Sequence, residues 1–430
     1  MHALAIHQRA NNDPNSDPME ATASLTAAKS LLGALTVVLG TGAVAGVLSE
    51  KLRIPDVAVF LLIGILIGPD LFGWVDIRAD SAINQIVLIF GACFILFDGG
   101  ATLRFGVLKE VWITIVVIAT VGVLITAAIT GYAAHLVLGV PLVVAMLLGA
   151  TLASTDPATL VPIFKQVRIK PRVEQTVISE SAFNDAMGAI LTFTVLGVAM
   201  GTTELSLGHA LGELLREAGM GLLVGAAVGV TAGFLLGHHR YDVLAAFSPL
   251  VTVVGVSAAY LLADHLEGSG FMAVFVFGII IGNRETFGFK METLEEQQLG
   301  HFVHSTALFM RLLIFMLLGS QVSFGLMAKY WLPGLSLMVV LIFIARPATV
   351  FFCTVVDRRA KWSFNEMLFM CWTRETGVIP AALAGMLLGL KAPGAEMIAS
   401  ITFIAVLCTI LIQAPTTRWL GARLRLLAEA

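Results

Sequence analysis

Apolar runs of about twenty residues recur along the chain, each closed by a cluster of polar, glycine or proline residues. A helix rising about 1.5 Å per residue needs about twenty such residues to cross a hydrocarbon core about 30 Å thick. Cutting the chain at these clusters predicts thirteen helices, beginning near residues 28, 56, 82, 110, 141, 172, 206, 243, 268, 299, 332, 364 and 394. The pattern is that of an all-α polytopic membrane protein whose first partner is the lipid bilayer. Residues 1–27 are polar, rich in Asn, Asp and Pro, and lack the apolar core of a signal peptide, so a disordered tail is expected there. The membrane domain then covers 28–420, and 421–430 form a short tail with no appended regulatory domain expected.

Two spans carry helix breakers in mid-course. The fifth contains STDPATLVP, with Asp156 ahead of Pro157 and Pro162 further on; the twelfth contains RETGVIP, with Gly377 and Pro380. Proline removes a backbone donor and disfavours helix in the residue before it, so both spans are expected to unwind partly within the membrane. Unwound backbone is tolerated at that depth only inside protein or along a wet cavity. Each is the fifth span of a set of six, spans 1–6 and 8–13. That correspondence predicts two inverted six-helix repeats with crossed helices 5 and 12, one over about 28–200 and the other over about 243–420, joined by a linker helix at about 206–236.

Composition agrees: the 430 residues are 58% hydrophobic and 13% charged, and the mean hydropathy is +0.91. The net charge of −3 shows no basic stripe, so no nucleic acid partner is expected. The placement of charge says more. With the amino terminus outside, inner segments hold 17 of the 26 Lys and Arg, and outer segments hold five: Arg9, Lys29, Arg78, Lys329 and Lys391. The positive-inside rule then puts the carboxyl terminus in the cytoplasm. Cys93, Cys353, Cys371 and Cys408 are far apart in apolar segments and read as small buried hydrophobes.

Charged groups inside the bilayer cost at least about 2.5–3.5 kcal/mol each and usually face the bundle interior or an ion path. The intramembrane acids are Asp98, Asp156, Glu180, Asp185 and Glu375. Asp185 lies 13 residues beyond Arg172, roughly 20 Å of helix rise, which sets it near mid-depth. Ser181 and Asn184 share its face of the helix; Glu180 points about 140° away. One face therefore offers oxygen ligands from Asp185, Ser181 and Asn184, with Asp156 and Thr155 on the broken helix opposite. An all-oxygen set suits a hard cation such as sodium. The other face aims Glu180 at a cation, and Arg346, flanked by apolar residues in LIFIARPATVFF, is the best placed. Asp98, near a span end, fits either a site or a solvated carboxylate. Arg374 and Glu375 fit either a role at the second break or a local pair.

STDPATLVP and SESAFND, with 29 positions between Asp156 and Asp185, together with ARP in span eleven, ILFDGG and GSGFMAVFVFGIIIGN, resemble the cation:proton antiporters, specifically the electroneutral NhaP-type sodium/proton exchangers. The resemblance implies a homodimer of thirteen-helix protomers in the plasma (inner) membrane, each with a scaffold domain beside a mobile six-helix core. It implies that Asp185 carries ion and proton by turns, that Asn184 is its partner, that Asp156, Thr155 and Ser181 are further ligands, and that Glu180 and Arg346 form a buried ion pair. Asp98 falls where relatives carry an acid. Asn184 before Asp185, and no mid-span lysine, favour one-for-one exchange. Where many relatives read GLRGAVP, this chain reads RETGVIP, with Thr376 in the arginine's place, Arg374 two residues earlier and Glu375 between them, ahead of Gly377.

The function expected is secondary antiport of Na+, or alternatively Li+ or K+, against H+, with no enzymatic reaction, no nucleotide and no cofactor besides the transported ions. An intramembrane aspartyl protease would need a GxGD context that neither Asp156 nor Asp185 has. A cation channel would need a continuous polar pore. GTGAVAG at 40–46 lies in a span, where close helix packing accounts for it.

Overall fold

The computed structural model describes residues 18–52, 56–103, 105–155, 169–202, 207–237, 247–289, 291 and 293–427. The helices are α1 Pro18–Leu52, α2 Asp56–Ile67, α3 Ala82–Thr102, α4 Phe105–Val117, α5 Val123–Leu138, α6 Leu142–Thr151, α7 Pro171–Ala199, α8 Leu207–Gly237 and α9 Ser248–His265. They continue with α10 Gly270–Gly282, α11 Thr293–Ser320, α12 Phe324–Val340, α13 Arg346–Val356, α14 Phe364–Trp372, α15 Val378–Gly389, α16 Ala395–Cys408 and α17 Ala414–Arg423. Among the described residues, eight helices are long and apolar enough to cross a bilayer. Four shorter apolar helices accompany them: α2, α6, α10 and α15.

The first and the eleventh starts differ most from the sequence reading, and those expected near 110, 243 and 299 fall at Phe105, Ser248 and Thr293. Helix α1 begins at Pro18, inside the segment expected to be a tail, because proline's fixed φ and missing N–H suit a first helical turn and Met-Glu-Ala follow it. Residues 1–17 lie outside the described residues. Helix α12 begins at Phe324 and carries Pro333 within it rather than starting there, since a bilayer helix retains its neighbours' support across a proline.

The helices form two bundles. In one, α2, α3, α10 and α11 pack together, with α1, α8 and α9 around them. Gly282 and Gly278 permit the close crossing of α10 on α3: a Cβ would lie 2.2 Å from the Ala101 carbonyl oxygen at the first and 2.3 Å from that of Phe97 at the second. In the other, α5, α6 and α7 pack with α12, α15 and α16. Its helix ends are bolted by side chains: buried Asp357 accepts from the Thr114 hydroxyl at 2.7 Å, and the Arg172 guanidinium lies 4.3 Å over the Trp362 ring.

Three π turns interrupt the second bundle, at 118–122, 341–345 and 409–413. Pro347 and Pro415 follow two of them; each lacks the N–H that would close an α-helical bond four residues back, and the ladder re-forms with a wider turn. The first two occupy the fourth span of each six-span half, and the spans meet where the Thr126 and Thr349 hydroxyls approach to 2.9 Å.

Candidate ion site at the crossed breaks

Helix α6 has 10 residues, about 15 Å, too short to cross a bilayer, and its last carbonyls have no helical partners. The chain turns out of it at Leu152 and runs through Ser154 and Thr155, which are buried. Asp156, Pro157 and Pro162 lie outside the described residues. Span twelve is likewise two pieces, α14 and α15, joined by the extended stretch Thr373–Gly377, with Gly377 capping α15 and Pro380 in its first turn.

Helix α7 docks against the first break along a stripe of Ser181, Asn184 and Gly188. The Asn184 side-chain oxygen accepts from the Thr155 N–H at 3.0 Å, and its Nδ2 donates to Thr155 Oγ1 at 2.8 Å. Ser181 Oγ donates to the Thr155 carbonyl at 2.6 Å. A Cβ on Gly188 would lie 2.7 Å from that of Ser154, so only glycine lets the break sit this close. Asn184 therefore acts as a clamp on the unwound backbone, which the sequence reading, taking it as a ligand, did not foresee. Ser181, its proton committed to a carbonyl, keeps oxygen lone pairs free to face a cation. Asp185 is buried beside this stripe, 6% exposed.

Glu180, on the other side of α7, meets Arg346, the first residue after the π turn of span eleven. Arg346 Nη2 donates to Glu180 Oε2 at 3.0 Å, Nη1 pairs with Oε1, and Nε donates to the Met370 carbonyl at 3.0 Å. The carboxylate is thus held by a two-pronged guanidinium, with both residues buried.

The two breaks touch through Arg374, whose Nη2 donates to the Leu152 carbonyl at the end of α6. A cation at a helix carbonyl terminus is favourably placed. Ser154 Oγ, Arg374 Nη1 and Thr376 Oγ1 are buried with no hydrogen-bond partner among the described residues. All three belong to the interrupted stretches. Glu375 is buried in the same stretch. Asp98 Oδ2 lies 3.9 Å from His304 Nδ1 of α11.

Thr409 and Gln413 were not anticipated. Thr409 Oγ1 accepts the Thr376 N–H at 3.1 Å, and Gln413 Nε2 donates to the Trp372 carbonyl at 2.7 Å. The signal available was an amide ending the apolar run TFIAVLCTILIQ two residues before Pro415.

The family model for the transmembrane region of sodium/hydrogen exchangers matches residues 34–423. Na+/H+ antiporter 1 of Methanocaldococcus jannaschii is 34% identical over 366 residues, covering 82% of this chain and 82% of that protein. The K+/H+ antiporter NhaP of Alkalimonas amylolytica is 31% identical over 389 residues, 88% of this chain and 64% of that one. A solved structure of the sodium proton antiporter MjNhaP1 from Methanocaldococcus jannaschii at pH 8 is similar with a TM-score of 0.80 at 31% identity, covering 91% of this chain and 98% of that one. From its fold, its crossed breaks and this match along nearly its whole membrane region, the chain belongs to the sodium/hydrogen exchanger family.

Proposed function

We propose that this protein exchanges Na+ for H+ across the plasma membrane, one for one, with the two ions competing for the carboxylate of Asp185. The observation that carries the reading is the docking of the Ser181–Asn184 stripe onto Thr155, which brings the helix bearing Asp185 to the first break. Asp156 is the second carboxylate of the proposed site, with Ser181 and Thr155 as further oxygen ligands. A bare carboxylate is costly to carry through the bilayer, and one neutralised by either ion is far less so. The second bundle then moves past the first only when loaded, which couples the two fluxes. Because a bound Na+ and a bound proton leave the site with the same charge, exchange is electroneutral. The same oxygen set accepts Li+ or K+, and K+/H+ exchange is the second reading, favoured by the similarity to the Alkalimonas K+/H+ antiporter.

The amino terminus is placed outside and the carboxyl terminus in the cytoplasm from the distribution of Lys and Arg. The homodimer is proposed from the family resemblance. The protein works as a transporter and not as an enzyme.

The test is dequenching of a pH-gradient dye in proteoliposomes given Na+, Li+ or K+ in turn. Exchange requires a counter-ion, leaves the rate insensitive to an imposed membrane potential, and disappears in Asp185→Asn. Full exchange by Asp185→Asn, or cation flux without proton movement as in a channel, would overturn the assignment.

A further inference from the structure

Thr409 and Gln413 are 0% and 1% exposed and lie on the π turn of the last span, outside the groups assigned to ion binding. They meet the unwound stretch of span twelve at both its ends. The Trp372 carbonyl, the last of α14, has no partner in a following helical turn; it accepts the Arg374 N–H at 2.9 Å and Gln413 Nε2 at 2.7 Å. The Thr376 N–H lies near the far end of the same stretch and has no helical acceptor; Thr409 Oγ1 accepts it at 3.1 Å while donating its own proton to the Ala405 carbonyl at 2.9 Å. In hydrocarbon such groups have no water to turn to, so these two side chains, together with the local bond from the Arg374 N–H, set the course of the backbone between them. Between them stands Arg374, which reaches the Leu152 carbonyl at the end of α6. Three residues past Leu152 is Thr155, the residue clamped by Asn184 and Ser181.

We propose that Thr409 and Gln413 are positioning residues of the ion site, holding Thr373–Gly377 so that Arg374 fixes the distance between the two breaks. The inference rests on the exchange reading above. The wider π turn is part of the device, because it interrupts the α-helical ladder of the span at the two residues that turn toward the break.

The experiment measures exchange in proteoliposomes over a series of Na+ concentrations and pH values, for Thr409→Val, Gln413→Met and Thr409→Ser. Thr409→Val keeps the volume and loses the acceptor; Gln413→Met keeps the length and loses the donor. Loss of one such buried hydrogen bond is expected to raise the Na+ concentration for half-maximal exchange about five- to tenfold and to displace the pH of half-maximal rate. Maximal turnover per reconstituted protein should change less, and Thr409→Ser should behave as wild type. Either non-polar variant answers the question if the other fails to reconstitute. Wild-type affinity and pH profile in a variant whose melting temperature has dropped would assign these side chains to the fold alone and overturn the proposal. Asp185→Asn run alongside separates the two readings. If it is inactive while Thr409→Val keeps wild-type affinity, only the positioning role falls; if it is active, the exchange reading falls.

Discussion

Replacing Glu180 by Ala leaves the Arg346 guanidinium buried beside an apolar gap. Both partners are almost fully buried, 1% and 3% exposed, so water cannot take the carboxylate's place without opening the bundle. Breaking such a pair by removing one member costs about 3–5 kcal/mol, most of it from the uncompensated charge. Arg346 keeps one further contact, its Nε donation to Met370, which does not offset the loss of two charge-assisted bonds. The reciprocal change, Arg346→Met, leaves the Glu180 carboxylate buried without its guanidinium and is expected to cost a similar amount. The double variant Glu180→Leu with Arg346→Met buries no charge and is expected to recover most of the loss. Unfolding in detergent as a double-mutant cycle measures all of this. Wild-type stability for Glu180→Ala, or a double variant as unstable as the sum of the singles, would refute the reasoning.

Two further outcomes follow from the first break. Asn184→Ala removes the clamp on Thr155 and should cost about 1–3 kcal/mol of stability while weakening Na+ affinity in transport assays, whereas a pure ligand role would leave the unfolding curve unchanged. Gly188→Ala puts a methyl group 2.7 Å from the Ser154 Cβ and should cost about 1–3 kcal/mol and slow exchange; a variant matching wild type in melting temperature and turnover would show that the break yields freely.

The span pattern was readable because a bilayer asks one simple thing of a helix, a long apolar run, and the starts of α2, α3, α7 and α14 fall where the runs do. The break before Val378 was equally readable, since Gly377 and Pro380 interrupt helix by local chemistry alone. The Glu180–Arg346 contact could be inferred from scarcity, there being few mid-span cations for a mid-span acid to meet. Rotation and depth were harder. Periodicity set Ser181, Asn184 and Asp185 on one side of α7, but which of them grips the neighbouring backbone depends on where Thr155 comes to rest. The meeting of Asp98 with His304 joins two spans distant in sequence, and no local signal foretells it. The π turns leave only the trace of Pro347 and Pro415, and the continuation of α12 through Pro333 shows that the same residue can also be absorbed.

Competition of Na+ and H+ for one carboxylate is tested most directly by counting protons as sodium binds. Calorimetric titration of the purified protein with Na+, in two buffers of different ionisation heat near the pH of half-maximal exchange, reports the protons released per ion. Shared occupancy of Asp185 predicts a release that approaches about one proton per Na+ as the pH is lowered, with apparent affinity falling about tenfold for each pH unit on the acid side, and neither effect in Asp185→Asn. Sodium binding without proton release, or full release retained in Asp185→Asn, would contradict it.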